Sequence, residues 1–157
     1  MNSDAFVSVF ARKGKLVIAA SGRTRGGARL MVEPVVVLKD DGRPETLAGP
    51  LAAAFETSMT TVVPDPDWKS YRSPLPGAAG VKSTKAFFSG TKVCGVRKVP
   101  AEARVIVMPV QWLDRHNYRF VETVQEGAEI LHGLVTEREI ASHVIRLLGL
   151  SVADTTL

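Results

Sequence analysis

Three histidines and one cysteine are the side chains of this sequence best suited to acid–base, nucleophilic or metal chemistry. A zinc site of the usual kind needs several ligands at close spacing, and His116, His132 and His143 form no HxH, HxxxH or HxxE pattern. His143 follows Glu139 by four residues in a predicted helix, which indicates a surface ion pair. The histidines therefore predict no metal site.

Two other arrangements could support catalysis, and each has a simpler structural interpretation. His116 lies near Arg115 and Arg119 and could form with them an acid–base site of the ribonuclease type, but the surrounding residues are typical of a solvated turn. Cys94 lies near Lys92 and Arg97, whose charges would activate the thiol if they were close to it in space. Cys94 also occupies the middle of a predicted strand, so we expect a structural cysteine.

A glycine-rich basic stretch from Gly22 to Gly27 could cradle a phosphate group. A phosphate-binding loop requires a helix directly after it, and here a strand is predicted instead. The end of a flexible hairpin is the simpler interpretation. The sequence also has no Walker lysine motif and no Gly-x-Ser-x-Gly elbow. It therefore predicts a binding protein with no catalytic residues, no metal and no cofactor.

Length and composition bound the class of protein. The chain has 157 residues, of which 45% are apolar, 23% charged and 6% aromatic, as in ordinary globular domains. At roughly 100–200 residues per domain, this predicts one domain over residues 1–150 and a flexible tail over 151–157. One cysteine excludes an internal disulfide framework, and no apolar run approaches the ~20 residues that span a bilayer. The first residues lack a secretory pattern, so we expect a cytoplasmic protein with no membrane partner.

The charges alternate in blocks along the chain. Residues 1–32 and 61–100 are basic, residues 33–60 and 101–157 are acidic, and the net charge is +4. Nucleic-acid-binding proteins usually gather their bases on one stripe with aromatic residues between them, so this pattern makes nucleic acid an unlikely partner. The alternative, a small basic nucleic-acid-binding protein, would use the cations Arg23, Arg25, Arg29, Lys82, Lys85 and Lys92.

The predicted elements repeat their order in the two halves of the chain. Strands are predicted at Phe6–Arg12, Leu16–Ala20, Met31–Leu38, Lys92–Val99, Arg104–Leu113 and Tyr118–Val124. Helices are predicted at residues 46–59 with Thr46 as N-cap, at Thr84–Ser89, and after the capping box Thr136–Glu139 up to Gly149. One helix can cover the apolar face of each three-stranded meander. We therefore expect an α+β domain of two βββα halves, with a largely antiparallel sheet and a linking loop that contains a short helix.

Two details of this prediction are specific to single segments. Pro34 lies inside the third strand, which indicates a bulge or an edge position, because proline cannot donate to a ladder. The residues between Gly127 and Gly133 are predicted to form a loop that contains His132.

The segment between the halves holds the most distinctive pattern, Val63-Pro64-Asp65-Pro66-Asp67-Trp68. Trp68 is either a plug that folds this segment over the core or an exposed anchor for a partner. Aromatic anchors are enriched at protein interfaces.

Several other short motifs of the sequence accompany this pattern. They are Arg23 and Gly26-Gly27 ahead of Glu33-Pro34-Val35, the helix end Phe55-Glu56-Thr57-Ser58, the element from Pro64 to Trp68, and Ala78-Ala79-Gly80-Val81-Lys82-Ser83 followed by Phe87 and Phe88. In these motifs the chain resembles the immunity proteins of bacterial contact-dependent growth inhibition, the CdiI family. The resemblance implies an inhibitor rather than an enzyme. Such a protein forms a heterodimer with its cognate toxin domain, often a nuclease, and blocks it.

The resemblance does not by itself give the contact residues, which we predict from the polar segments. Segments rich in glycine or proline are not expected to be buried by the fold. An aromatic anchor with a charged rim is typical of interfaces, and alternating charge blocks would provide partner choice. The predicted toxin-binding residues are Arg23, Arg25, Arg29, Asp65, Asp67, Trp68, Lys69, Tyr71 and Arg72.

Overall fold

A computed structural model describes residues 4–114, 119–122 and 128–149. The strands are β1 (Ala5–Arg12), β2 (Lys15–Thr24), β3 (Arg29–Lys39), β4 (Val62–Val63), β5 (Lys92–Val99), β6 (Arg104–Asp114), β7 (Arg119–Glu122) and β8 (Glu129–His132). The helices are α1 (Pro44–Thr60), α2 (Leu75–Ala78), α3 (Thr84–Phe88) and α4 (Glu137–Leu148), with a 3-10 turn at Pro100–Glu102. Within these residues, no helix is long and apolar enough to cross a membrane.

One sheet contains all of these strands. Its order is β3-β2-β1-β5-β6-β7, with β4 beside β2 and β8 beside β6. Every pair is antiparallel except β2 with β4, which is parallel. The first strands of the two halves, β1 and β5, pair along their whole length at the centre of the sheet. The prediction of an α+β fold with a largely antiparallel sheet is confirmed.

Two helices cover one face of the sheet. Leu47, Leu51 and Phe55 lie four residues apart along α1, so they share one side of the helix and are fully buried. Val144 and Leu147 of α4 join the same core. The predicted capping box begins α4, since Thr136 Oγ1 accepts the N–H of Glu139 and Glu139 Oε2 accepts that of Thr136.

The linking segment covers part of the opposite face. Leu75 and Phe87 are fully buried there against Phe10 and Val17 of the sheet. The rings of Phe10 and Phe87 meet edge to face with centroids 5.2 Å apart. The segment contains two short helices, α2 and α3, where the sequence predicted one, and Ser83 caps α3 by accepting the N–H of Ala86.

The first helix begins earlier than predicted. Arg43 is the residue before the first helical position, Pro44, whose fixed φ suits the start of a helix. Thr46 is therefore inside α1, and its hydroxyl donates to Asp41 Oδ2 at 2.6 Å instead of capping the helix. Pro50 consequently lies further into the helix than the sequence suggested.

The loop predicted between Gly127 and Gly133 is in part a strand. Residues Glu129–His132 form β8, which pairs with the beginning of β6 from Arg104 to Val107. Pro34 lies where the register of β3 against β2 shifts, on the outermost strand, as predicted. Of the predicted strand Tyr118–Val124, β7 contains Arg119–Glu122, and the other residues lie outside the described part of the chain.

Candidate partner-binding surface

The exit of α1 brings the linking segment against the end of the sheet. Ser58, in the last turn of α1, is buried and makes two hydrogen bonds to the strands. Its Oγ accepts the N–H of Phe6 at 2.8 Å and donates to the carbonyl of Ser21 at 2.7 Å. The chain that follows α1 is thereby placed beside the turn between β2 and β3.

The β2–β3 turn and the loop after α1 are joined by their backbones. β4 runs parallel to the end of β2, and the N–H of Arg25 donates to the carbonyl of Val63 at 3.2 Å. Asp65 Oδ1 accepts the N–H of Gly26 at 2.9 Å. A Cβ atom at Gly26 would lie 2.8 Å from the same oxygen, so a larger residue there would displace the Asp65 carboxylate from this hydrogen bond. The two segments predicted to bind a partner are therefore adjacent, and we call residues 23–27 with 62–72 the hairpin–loop surface.

Asp67 holds the loop in shape. Its carbonyl accepts the N–H groups of Ser70 and Tyr71 at 3.0 and 2.9 Å, and its Oδ1 accepts the N–H of Lys69 at 3.1 Å. Such Asx bonding is a usual way to fix a turn. Asp65 and Asp67 therefore each accept a backbone N–H of this chain. This loop-ordering role was not predicted from the residue types.

Trp68 is 58% exposed, so the interpretation of this side chain as a plug is wrong. The buried plug of the linking segment is Leu75. The ring of Trp68 packs edge to face on Tyr71, with centroids 5.9 Å apart. Tyr71 is half-buried, and burial raises the pKa of its hydroxyl. The indole is therefore held from one side and open to solvent on the other.

The cations of the surface differ in how they are held. Arg72 donates to the carbonyl of Tyr71 at 3.0 Å. Arg25 and Lys69 are exposed, and within the described residues their side chains make no hydrogen bond or ion pair. Val62 is 65% exposed and adds apolar area at the start of the loop.

The structure separates Arg29 from the rest of the predicted set. Its guanidinium lies 4.0 Å from the centroid of the Phe6 ring and donates to the carbonyl of Asp4 at 3.2 Å. Arg23 is directly opposite Arg29 in the β2–β3 register, so both side chains project from the same face of the sheet. Arg29 is thereby engaged with β1 and its N-terminal neighbour Asp4, whereas the loop after α1 contacts the turn at Gly26.

Two of the residues considered for catalysis or metal binding, Cys94 and His143, have structural surroundings in the fold. Cys94 is fully buried, and burial raises the pKa of its thiol to about 12, so it stays protonated at neutral pH. His143 pairs with Glu129 of β8 and not with Glu139, because the predicted loop is a strand beside α4. His116 lies outside the described residues. Within the described ranges, no group of three or more His, Cys, Asp or Glu side chains could hold a metal ion.

Glu129 is a charged centre that the sequence analysis missed. A hydrogen bond from Arg146 is the main cause that lowers the pKa of its carboxyl, and His143 adds to the effect. Both partners lie on α4, three residues apart, so they share the face that meets β8. This cluster ties the last helix to the edge of the sheet.

Comparisons with known proteins give structural matches alone. No protein-family model matches the chain, and a search of curated sequences finds no significant match. A Neisseria meningitidis protein of unknown function has the same fold, with a TM-score of 0.70, 15% identity, and coverage of 97% of this chain and 98% of the other. A chain of the CdiA-CT/CdiI toxin and immunity complex from Yersinia pseudotuberculosis matches with a TM-score of 0.63, 12% identity, and coverage of 96% and 98%. At these identities the matches establish a shared fold over nearly the whole chain.

Proposed function

We propose that this chain is an immunity protein that binds and neutralises a cognate toxin domain of contact-dependent growth inhibition, with a nuclease as the expected toxin. Two independent lines support the proposal. The motifs of the sequence resemble the CdiI family, and the fold resembles a chain of a toxin and immunity complex. The proposed assembly is a heterodimer in the cytoplasm.

The observation that carries a binding role is the exposed indole on the hairpin–loop surface. A flexible loop loses conformational entropy when it binds, which lowers its affinity. This loop is already ordered by hydrogen bonds to Asp65 and Asp67, so it avoids much of that cost. Trp68 therefore presents a large apolar side chain in a fixed position. Tryptophan is one of the residue types enriched among binding hot spots.

The charge around this anchor indicates the kind of surface that it meets. Asp65 and Asp67 are exposed and each accepts one backbone N–H, and the exposed bases of the surface are Arg23, Arg25, Lys69 and Arg72. With four bases and two acids, the hairpin–loop surface carries net positive charge. A toxin surface with acidic side chains around an apolar pocket would complement it.

The nucleic-acid alternative requires basic residues on one stripe, and the structure divides them. Arg23 and Arg29 lie at the end of the sheet where β1 begins. Lys92 is paired with Ala11, near the other end of β1. Ala11 packs on the core under α1 and α4, so Lys92 projects from the sheet face opposite to that of Arg23 and Arg29. This division between two faces favours a protein partner over a single phosphate-tracking stripe.

Coexpression with the toxin domain encoded beside this gene tests the proposal. We expect the wild-type chain to restore growth and to form a one-to-one complex. Trp68→Ala and Lys69→Glu should weaken the complex, because they remove the anchor and reverse an unpaired charge. Lys85→Glu is the matched control, since Lys85 is exposed on α3 and lies outside the hairpin–loop surface.

The outcomes separate the function from its assignment to a surface. Failure of the wild-type chain to protect cells or to bind the toxin would refute the immunity role. Protection by the wild type with undiminished binding by both surface variants would refute the contact assignment alone. Salt-dependent binding of plain tRNA by the isolated chain would support the nucleic-acid alternative instead.

A further inference from the structure

A cavity of about 380 Å³ lies on the sheet face opposite α1 and α4. Three small residues leave the space: Ser8 and Gly95, which are opposite each other on β1 and β5, and Ser21 of β2, which is opposite Phe6. Arg29 closes one side of the cavity. Within the described residues, the hydroxyls of Ser8 and Ser21 make no hydrogen bond, so both can serve a ligand.

An excess of positive charge surrounds this cavity. Arg97 donates from Nε and Nη2 to Asp4 Oδ2 at 2.8 and 2.5 Å, and its guanidinium lies 5.3 Å from the Phe6 centroid on the same ring that Arg29 contacts. Arg23 is opposite Arg29 across the strands. Three guanidinium groups therefore lie at this end of the sheet, and among the described residues Arg97 alone is hydrogen-bonded to the Asp4 carboxylate.

The pKa of Arg29 reflects this excess of positive charge. This pKa is lowered first by burial and then by the charge of Arg23; the charge of Asp4 opposes this shift, and Arg97 adds a smaller lowering effect. One N–H of Arg29 is used on the carbonyl of Asp4, and no other hydrogen bond of its side chain is found among the described residues. An arginine that is half-buried, stacked on an aromatic ring and left with free donors is arranged to bind an anion.

We propose that this cavity is a binding site for an oxyanion, a carboxylate or a phosphate group, held by Arg29 with the hydroxyls of Ser8 and Ser21. The planar guanidinium matches either group in a two-bond geometry. Phe6 and Met108 give the cavity an apolar wall, which suits a small organic body attached to the anion. This inference does not depend on the proposed function.

The same pair of strands offers an internal comparison. Lys15 and Lys39 are also directly opposed between β2 and β3, at the far end of the strands. Both are exposed to solvent. Removing one charge there changes the net charge of the chain as much as removing Arg29, but it leaves the cavity intact.

The experiment measures binding of citrate and of pyrophosphate by the isolated chain, with calorimetry and backbone amide shifts at constant ionic strength. We expect saturable binding with shifts concentrated at Ser8, Ser21 and Gly95. Arg29→Gln should weaken it by about tenfold or more, because a charge-assisted hydrogen bond is lost. Lys15→Gln should leave the affinity within about twofold.

A second arm distinguishes a free anion from an acidic side chain of a protein partner. Ser8→Leu would fill the cavity without changing the charge. Loss of citrate or pyrophosphate binding in this variant, with toxin binding retained, would assign the site to a free anion. If the wild-type chain binds neither citrate nor pyrophosphate, the proposal is overturned, whether or not a toxin binds. Equal losses in Arg29→Gln and Lys15→Gln would also overturn it, since they would show attraction to net charge only.

Discussion

Truncation of the two large apolar side chains of the linking segment, Leu75 and Trp68, should lower different properties: fold stability for Leu75 and partner affinity for Trp68. Leu75 is 1% exposed and packs in the cluster of Phe10 and Phe87, whereas Trp68 is 58% exposed. Leu75→Ala should therefore lower the stability of the fold and Trp68→Ala should lower the affinity for a partner. The pair separates the core role from the binding role within one stretch of chain.

The magnitudes follow from the surroundings of each side chain. Leu75→Ala should lower the free energy of unfolding by about 2–5 kcal/mol, because a fully buried leucine leaves a cavity that its neighbours fill only in part. Trp68→Ala removes mainly the contact with the Tyr71 ring, so it should cost about 0.5–1.5 kcal/mol. Against the toxin domain, the same Trp68→Ala change should cost about 2 kcal/mol or more, roughly a thirtyfold loss of affinity.

Urea unfolding followed by circular dichroism measures the first pair of values, and calorimetric titration with the toxin domain measures the last. Binding should be compared without urea, at a temperature at which both variants are folded. A loss above about 2 kcal/mol in Trp68→Ala unfolding would show that the indole supports the core after all. A loss below about 0.5 kcal/mol in Leu75→Ala would show that the linking segment is not packed on the sheet as described.

Three further perturbations test the elements that hold the surface in place. Leu147→Ala, in the buried stripe of α4, should lower the free energy of unfolding by about 2–5 kcal/mol in the same urea experiment, and a loss under about 0.5 kcal/mol would contradict this packing. The lowered pKa of Glu129 means that its ion pairs stabilise the fold above the unfolded glutamate pKa of about 4.3 and that this contribution is lost as pH falls through the folded value. Glu129→Gln should flatten the fall in stability of the wild type between about pH 5 and 3, and an unchanged pH profile would refute the linkage. Gly26→Ala should weaken toxin binding without unfolding the chain, because the new Cβ would push Asp65 away, and unchanged loop amide shifts by NMR would contradict this account.

The parts of the fold that the sequence predicted are those set by local periodicity and capping. The stripe of Val144 and Leu147 behind the capping box at Thr136 gave α4 correctly, since all of the information lies within a few turns. The strand β8 was missed because four residues beside Gly133 carry little pattern of their own. It forms because the beginning of β6 offers unpaired backbone groups, and that partner is distant in sequence.

The candidate surface shows the same division between local and distant information. Composition alone indicated that the two polar segments are not buried, and the structure places them side by side. The hydrogen bond between Gly26 and Asp65 joins residues 39 positions apart, so no local pattern indicated it. The register of Arg23 with Arg29 likewise depends on strand pairing, and it directs both side chains to the sheet face.

The arrangement of acids and bases on the hairpin–loop surface explains how a chain with modest net charge can present a locally basic face. Asp65 and Asp67 are as numerous in the loop as Lys69 and Arg72, so the sequence of the loop is neutral. All four side chains are exposed, and the two carboxylates also accept backbone N–H groups. The adjacent residues 23–27 add Arg23 and Arg25 and no acid, so the hairpin–loop surface has four bases and two acids and a net positive field. Long-range attraction of an acidic partner would then come from the cations and set the rate of encounter, while the ordered indole of Trp68 would set the lifetime of the complex.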